Sequence, residues 1–180
     1  MAGEGAALRA DYKAKYPFAM VPMLELDDGT QIGEAMAICR YFETLHPSPP
    51  LMGTDAKDKA IVEMWERRAY DEGMIGTAEI VRNTHPAFAD RGIGGYATSV
   101  PQLPSLVERG HKRVRRFFEM FDGQLASNEF VAGVRVSVAD ITALCSMDFA
   151  KVLGKISIPE GHRNLIRWYN MMSARPSAKA

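Results

Sequence analysis

Cysteine is scarce in this sequence, and positive charge is not in excess. Only Cys39 and Cys145 occur among 180 residues, which excludes a disulfide scaffold or a cysteine-based metal site and fits a reducing compartment. The 22 basic side chains are balanced by 22 acidic ones, so the surplus that drives binding to nucleic acid or anionic membranes is lacking. No apolar run approaches the roughly 20 residues that cross a bilayer. We therefore expect a cytoplasmic protein that binds no metal, no nucleic acid and no membrane.

Strand patterns are also rare, and one hairpin accounts for them. Two short β-type runs, 21–26 and 30–32, are separated by Asp27-Asp28-Gly29, a strong local signal for a tight turn. Elsewhere apolar residues recur at helical spacing, which predicts a mainly α fold. The predicted helices cover 1–16 (a short helix or its remnant), 35–45, 55–82, 105–126, 137–153 and 163–173.

A proline-rich stretch, His46-Pro47-Ser48-Pro49-Pro50, is the clearest domain boundary, because proline cannot continue a helix. It predicts a first domain at 1–46, a linker at 47–54 and an all-helical domain at 55–180. The loop at 83–104 is longer than connections without a function usually are.

The hairpin carries most of the chemical information. Pro22 removes a ladder hydrogen bond from its strand and suggests an edge, a bulge or a cis peptide. A cis bond would turn the backbone of Val21 outward, where it can pair with an extended peptide. Glu34 precedes a helix whose free N–H groups favour a carboxylate, while its own carboxylate suits an ammonium. These features describe a receptor for glutathione. Taken alone, Glu34 is better explained as a charge that complements the helix dipole, and only its place in this motif favours ligand binding.

Three motifs in this order resemble the glutathione S-transferase family, in its bacterial type. The run KYPFAMVPMLELDDGTQIGEAMAICRYFE at 15–43 is similar to the family's glutathione-site segment. The run FVAGVRVSVADITALCSMDFAKVLG at 130–154 resembles the capping box of the family's sixth helix and its lead-in, and the ending at 168–180 matches a common family C-terminus.

The resemblance implies an α+β fold, mainly α, with an incomplete thioredoxin-like portion (hairpin plus helix) before an all-α domain. It implies that Val21, beside a cis Pro22, binds the cysteinyl backbone of glutathione, and that Glu34 and the position of Ala35 hold the γ-glutamyl group. Ala35 stands where the family usually has serine, so glutathione binding should be weaker by one hydrogen bond, roughly 1 kcal/mol. The family's thiol-activating residue and its β-α-β unit are expected before Met1, because Tyr12 and Tyr16 lie in the wrong segment.

The function implied is conjugation of the glutathione thiolate to a small apolar electrophile by the full-length product, which the family usually performs as a homodimer. The alternative is a non-catalytic binding or dimerisation module with the same fold. Trp65, Tyr70 and Met74 are candidates for the electrophile pocket, with core or dimer packing an equal alternative. Ser137 and Asp140 are interpreted as a structural helix cap alone. Six basic groups at 109–116 are interpreted as a solvated helix face in preference to a nucleic-acid site.

Overall fold

The computed structural model describes residues 9–96 and 98–179, so the predicted start of the first helix, including Leu8, lies outside the described residues. The regular elements follow the order expected from the sequence. They are α1 (Ala10–Lys15), β1 (Met23–Glu25), β2 (Gln31–Gly33), α2 (Ala35–Leu45), α3 (Ala56–Arg68), α4 (Ile75–Thr84), α5 (Pro104–Leu125), α6 (Val138–Val152) and α7 (Arg163–Ser173).

The described chain divides into two compact units. The first unit contains the residues up to Pro49 together with Ile93–Val100, and the second unit contains Pro50–Gly92 and the residues from Pro101 onward. The domain limits expected from the sequence, 1–46 and 55–180, stay a prediction, because compact units do not show which segments fold on their own. No helix among the described residues is long and apolar enough to cross a membrane.

The hairpin of the first unit forms as its turn sequence predicts. β1 and β2 pair antiparallel, with Met23 opposite Gly33 and Glu25 opposite Gln31. Gly29 adopts a φ of 84°, a left-handed conformation that glycine takes without steric cost. The Asp28 side chain accepts a hydrogen bond from the Thr30 N–H at 2.9 Å. Turn chemistry therefore sets the register, although β1 is shorter than the run that predicted it.

Helix α2 has the predicted bounds but not the predicted burial. The helical spacing of its apolar residues, which include Cys39, predicts a buried stripe, and that prediction is wrong. No residue of α2 is buried, Cys39 is exposed, and Phe42 and Leu45 are 45% and 53% exposed. The reason is geometric: the two three-residue strands that the structure describes are too small to cover an 11-residue helix.

The long helix predicted over 55–82 is continuous but changes its winding in the middle. Ala69–Met74 forms a π-helical segment between α3 and α4. Side chains from two neighbouring helices donate hydrogen bonds to backbone carbonyl oxygens of this segment. The Ser146 hydroxyl donates to the Ala69 carbonyl at 3.3 Å, and the Arg113 side chain donates to the Asp71 carbonyl at 2.9 Å. Because such donors replace intrahelical bonds, tertiary contacts stabilise a turn that periodicity does not reveal.

The hydrophobic core of the second unit lies among α3, α5, α6 and α7. Trp65 packs edge-on against Phe121 with ring centroids 5.3 Å apart, a favoured aromatic geometry. α6 is buried along most of its length, as its apolar sequence predicts. The largest fully buried apolar side chains are Trp168, Phe117, Phe118, Phe121, Leu125, Met147, Leu165, Val114 and Val131.

Asp140 is a structural centre of the second unit as well as a helix cap. Ser137 and Asp140 form the capping box of α6, in which the Asp140 carboxylate accepts from the Ser137 N–H at 2.9 Å and from the Ser137 hydroxyl at 3.0 Å. The same carboxylate accepts from the Val131 N–H at 2.8 Å and from the Trp168 indole N–H at 2.9 Å. The interpretation of Asp140 as a cap alone is therefore incomplete: the fully buried carboxylate also ties the lead-in loop and α7 to α6.

Candidate functional site

The candidate binding residues of the hairpin lie at one of its ends. Because Met23 pairs with Gly33, the chain that enters β1 and the chain that leaves β2 are at the same end, away from the turn. Val21 and Pro22 precede Met23, and Glu34 and Ala35 follow Gly33. We call these four residues the hairpin end. The Val21–Pro22 peptide bond is cis.

Glu34 occupies an unusual backbone conformation at the start of α2. Its φ is 65° and its ψ is 120°, and its side chain makes no capping hydrogen bond. Residues other than glycine rarely adopt a positive φ, and such positions cluster at ligand-binding sites. The Glu34 carbonyl accepts from the N–H groups of Ala37 and Ile38 at 3.0 and 3.1 Å. The first N–H groups of any helix have no intrahelical partner, so α2 directs its donors and its positive dipole end toward the hairpin end.

Val21 lies just before the strand ladder and is 65% exposed. The carbonyl of its neighbour Met20 accepts a hydrogen bond from the Tyr12 hydroxyl at 2.7 Å. Gly95, from the loop segment that belongs to the first unit, lies against the same stretch, since a β-carbon there would be 3.3 Å from the Phe18 carbonyl oxygen. The backbone leading to Val21 is thus held from two sides while the Val21 side chain remains open.

The three candidates for an electrophile pocket have different environments. Trp65 is 7% exposed and belongs to the hydrophobic core. This environment favours core packing over a role in the electrophile pocket for that residue. The Arg68 guanidinium lies over its ring at 4.7 Å. Tyr70 and Met74 lie in the π-helical segment and are partly exposed. Of the three, only Tyr70 and Met74 present surface to a small molecule.

Tyr12 and Tyr16, which the sequence excludes as thiol activators because of their position in the chain, lie near the hairpin end. The structure gives both a definite contact: Tyr12 bonds Met20, and Tyr16, 9% exposed, packs against Gly33. In the helix predicted over 1–16, their spacing of four residues indicates that both side chains lie on one face and can contact the same neighbouring segment. The sequence interpretation considered them only as thiol activators.

Cys145 does not have the setting of a reactive thiolate. Partial burial, and then the negative charge of Asp148, raise the pKa of the Cys145 thiol, so less thiolate is present at neutral pH. Cys39 is exposed on α2. Among the described residues, no group of three or more His, Cys, Asp or Glu side chains is arranged to hold a metal ion.

The basic face of α5 is largely neutralised by acidic groups of the neighbouring helix. Arg109 donates two hydrogen bonds to Glu79, with Nη2 and Oε1 2.6 Å apart. Arg113 and Arg116 lie 3.8 and 3.7 Å from carboxylate oxygens of Glu79 and Glu72. These pairs join neighbouring helices and leave less free charge for a phosphate backbone, which favours the interpretation of a solvated helix face over a nucleic-acid site.

Comparisons with known proteins find the same family in sequence and in structure. A model of the glutathione S-transferase N-terminal domain matches residues 4–50, and a model of the C-terminal domain matches residues 85–176. Glutathione S-transferase 2 of Saccharomyces cerevisiae is 31% identical over 176 residues, covering 98% of this chain and 72% of that protein.

A glutathione S-transferase domain-containing protein of Marinobacter aquaeolei has a crystal structure that matches with a TM-score of 0.84 and 33% identity, covering 96% of this chain and 81% of that one. Elongation factor 1-gamma of Prunus avium is 33% identical over 139 residues, which cover 77% of this chain and 30% of that protein. The similarity thus extends to a protein whose name is not that of a transferase.

Proposed function

This chain belongs to the glutathione S-transferase family, and from that premise we propose that it binds glutathione at the hairpin end. The observation that carries the proposal is the common position of Val21 and of the Glu34–Ala35 helix start, fixed by the pairing of Met23 with Gly33. The positive φ of Glu34 supports a ligand role over a simple dipole charge. The name of the yeast relative, a glutathione S-transferase, gives independent support.

Each group of the hairpin end has a task in this proposal. The N–H groups at the start of α2 bind the γ-glutamyl carboxylate, helped by the helix dipole. The Glu34 carboxylate holds the γ-glutamyl ammonium through a charge-assisted hydrogen bond. The backbone of Val21, beside Pro22, pairs with the cysteinyl residue as an added strand would.

The reaction we propose is conjugation. The glutathione thiolate attacks an apolar electrophile, its sulfur forms a bond to the electrophilic carbon, and the leaving group departs with its electron pair. Tyr70 and Met74 remain the candidates for contact with this second substrate, whereas Trp65 belongs to the core. A homodimer, a cytoplasmic location and a place among the bacterial-type members are further parts of the proposal.

A thiol-activating group is not assigned among the residues that the structure describes. The Tyr12 hydroxyl donates to the Met20 carbonyl, and the Tyr16 hydroxyl is packed against Gly33. We therefore expect this 180-residue chain to bind glutathione but to conjugate it to an aromatic halide slowly or not at all. The similarity to elongation factor 1-gamma favours the alternative function, a non-catalytic binding or dimerisation module.

Calorimetric titration of glutathione into the 180-residue chain tests the binding proposal. Glu34→Gln should weaken affinity by roughly ten- to a hundredfold, because a hydrogen bond to a charged group is worth about 1.5–3 kcal/mol. Glu160→Gln, which changes an exposed carboxylate of the second unit, is the matched control and should leave affinity unchanged. Heat release absent up to millimolar glutathione would refute the proposal, and rapid conjugation by this chain would eliminate the non-catalytic alternative.

A further inference from the structure

Tyr12 in α1 and Tyr16, the residue directly after that helix, contact the two halves of the hairpin end. The Tyr12 hydroxyl donates to the Met20 carbonyl at 2.7 Å, and Met20 is the residue before Val21. The Tyr16 side chain packs against Gly33, which is the residue before Glu34. α1 and the residue that follows it therefore touch both chain segments immediately ahead of the residues that the proposed function assigns to glutathione.

Tyr16 is the central side chain of this arrangement. Of the residues that the structure describes in the first unit, it alone is buried. Its ring lies 6.3 Å from that of Tyr12 and 5.3 Å from that of Phe18, measured between centroids. Its carbonyl accepts from the Ala19 N–H at 3.0 Å, which closes the turn that leads to Met20. The side chain and the backbone of one residue thus hold both segments.

The contact with Gly33 leaves no room for a β-carbon unless the Tyr16 side chain moves. A β-carbon on residue 33 would collide with the Tyr16 hydroxyl oxygen and would come within 3.0 Å of the ring carbon that carries it. The next residue, Glu34, must hold a φ of 65°, a conformation that persists only where the surroundings impose it. Tyr16 packs directly against the backbone that precedes this residue.

We propose that Tyr12 and Tyr16 are positioning residues for glutathione, and that they set the distance between the Val21 backbone and the Glu34 helix start. The proposal rests on the proposed function. The tyrosines act through Met20 and Gly33, and they touch neither the ligand nor the thiol. A tripeptide that must be bound at both ends is sensitive to this distance, because small displacements of binding groups cost a large part of the available energy.

The test is a set of variants titrated with glutathione by calorimetry. Tyr12→Phe removes one hydrogen bond while it keeps the ring, and it should weaken glutathione binding by roughly three- to tenfold. Gly33→Ala should weaken it by more than about tenfold, because the added methyl group displaces Tyr16 or Glu34. Adding Tyr16→Phe to Gly33→Ala removes the oxygen nearest to that methyl group, so the double variant should regain a large part of the lost affinity.

Matched controls separate positioning from general stability. Tyr169→Phe removes a comparable hydroxyl hydrogen bond, to Asp148 at 2.6 Å, in the second unit, and it should leave affinity unchanged. Tyr16→Phe alone gives the reference affinity against which the double variant is compared. Urea unfolding of each variant is measured alongside, and a weaker affinity at an unchanged free energy of unfolding is a result that a loss of stability alone would not produce.

The outcomes distinguish the two proposals. If the parent chain does not bind glutathione, the proposed function fails first. If the parent chain binds and Tyr12→Phe behaves like Tyr169→Phe, or Tyr16→Phe does not rescue Gly33→Ala, the positioning role is wrong and the binding site stands. Tyr12→Phe remains decisive even if Gly33→Ala does not fold, because it leaves the aromatic packing in place.

Discussion

At the scale of single residues, a few positions combine a residue type with an environment or a backbone conformation in which that type is rarely found. Glu34 has a backbone conformation unusual for an L-residue, and Asp140 accepts four hydrogen bonds in a buried position. Ala35 departs from the family's usual serine. Glu66 is a carboxylate 2% exposed, with a single described hydrogen bond, from the Thr142 hydroxyl at 3.4 Å. The last two lead to predictions.

Ala35→Ser should strengthen glutathione binding. The hydroxyl group adds one hydrogen bond near the start of α2, worth about 1 kcal/mol, or roughly fivefold in affinity. Ala37→Ser, two residues farther into the same helix and exposed, is the control and should have no such effect. Calorimetric titration measures both. Equal affinities for the two variants would contradict the assignment of residue 35 to the γ-glutamyl group.

Glu66→Gln should stabilise the protein at neutral pH and have little effect in acid. Burial, the largest cause, raises the pKa of the Glu66 carboxyl group. The stability contributed by such a group is fully present below its unfolded-state pKa and is lost as the pH rises through its folded-state pKa. The neutral glutamine removes this loss, so we expect a gain of about 1 kcal/mol in the free energy of unfolding at pH 7.5.

Denaturant unfolding at pH 7.5 and pH 4 measures this difference. Glu119→Gln, at an exposed position of α5, is the control and should change stability little at either pH. A larger stabilisation by Glu66→Gln in acid than at neutral pH would show that the sign assigned to Glu66 is wrong.

At the scale of secondary-structure elements, close helix contacts set the shape of the second unit. α4 and α5 meet at two glycines: a β-carbon on Gly110 would lie 2.5 Å from the Gly76 carbonyl oxygen and 2.7 Å from a side-chain carbon of Ile80. Arg109 and Glu79 form an ion pair beside this crossing. The two backbones approach so closely at Gly76 and Gly110 that no side chain larger than a hydrogen atom fits between them.

Gly110→Ala should therefore destabilise the protein by about 1–3 kcal/mol, because the methyl group must push the helices apart. Gly123 provides a matched control in the same helix, since a β-carbon there meets nothing within 4 Å. Gly123→Ala should stabilise by up to about 1 kcal/mol through its higher helix propensity. Urea unfolding of both variants checks the pair, and a similar change in both would contradict close packing at Gly110.

The sequence predicts elements well where the determinants are local. Gly29 in its turn, the proline boundary and the Ser137–Asp140 cap all act within a few residues, and the hairpin and the helix bounds follow from them. Features that depend on distant partners were missed or wrong. The π-helical segment is stabilised by Ser146 and Arg113 from other helices. The exposure of α2 depends on how much surface surrounds it, and no periodicity within a helix contains that information.

At the scale of the whole chain, the two units differ in how firmly they are packed. In the described part of the first unit, Tyr16 is the one buried residue, whereas the second unit contains a continuous core around Phe117, Phe121 and Trp168. Regions with few buried apolar contacts open more readily. A ligand that binds the hairpin end therefore adds stability to the unit that has the least of its own.

The central claim is that one end of a small hairpin binds glutathione. Backbone amide chemical shifts recorded by NMR during a glutathione titration test this claim most directly. We predict that the backbone amides of Val21, Glu34, Ala35 and Met36 shift in a saturable way with a single dissociation constant, while those of α5 and α6 do not. Shifts confined to the helices of the second unit, or no shifts at millimolar glutathione, would contradict the account.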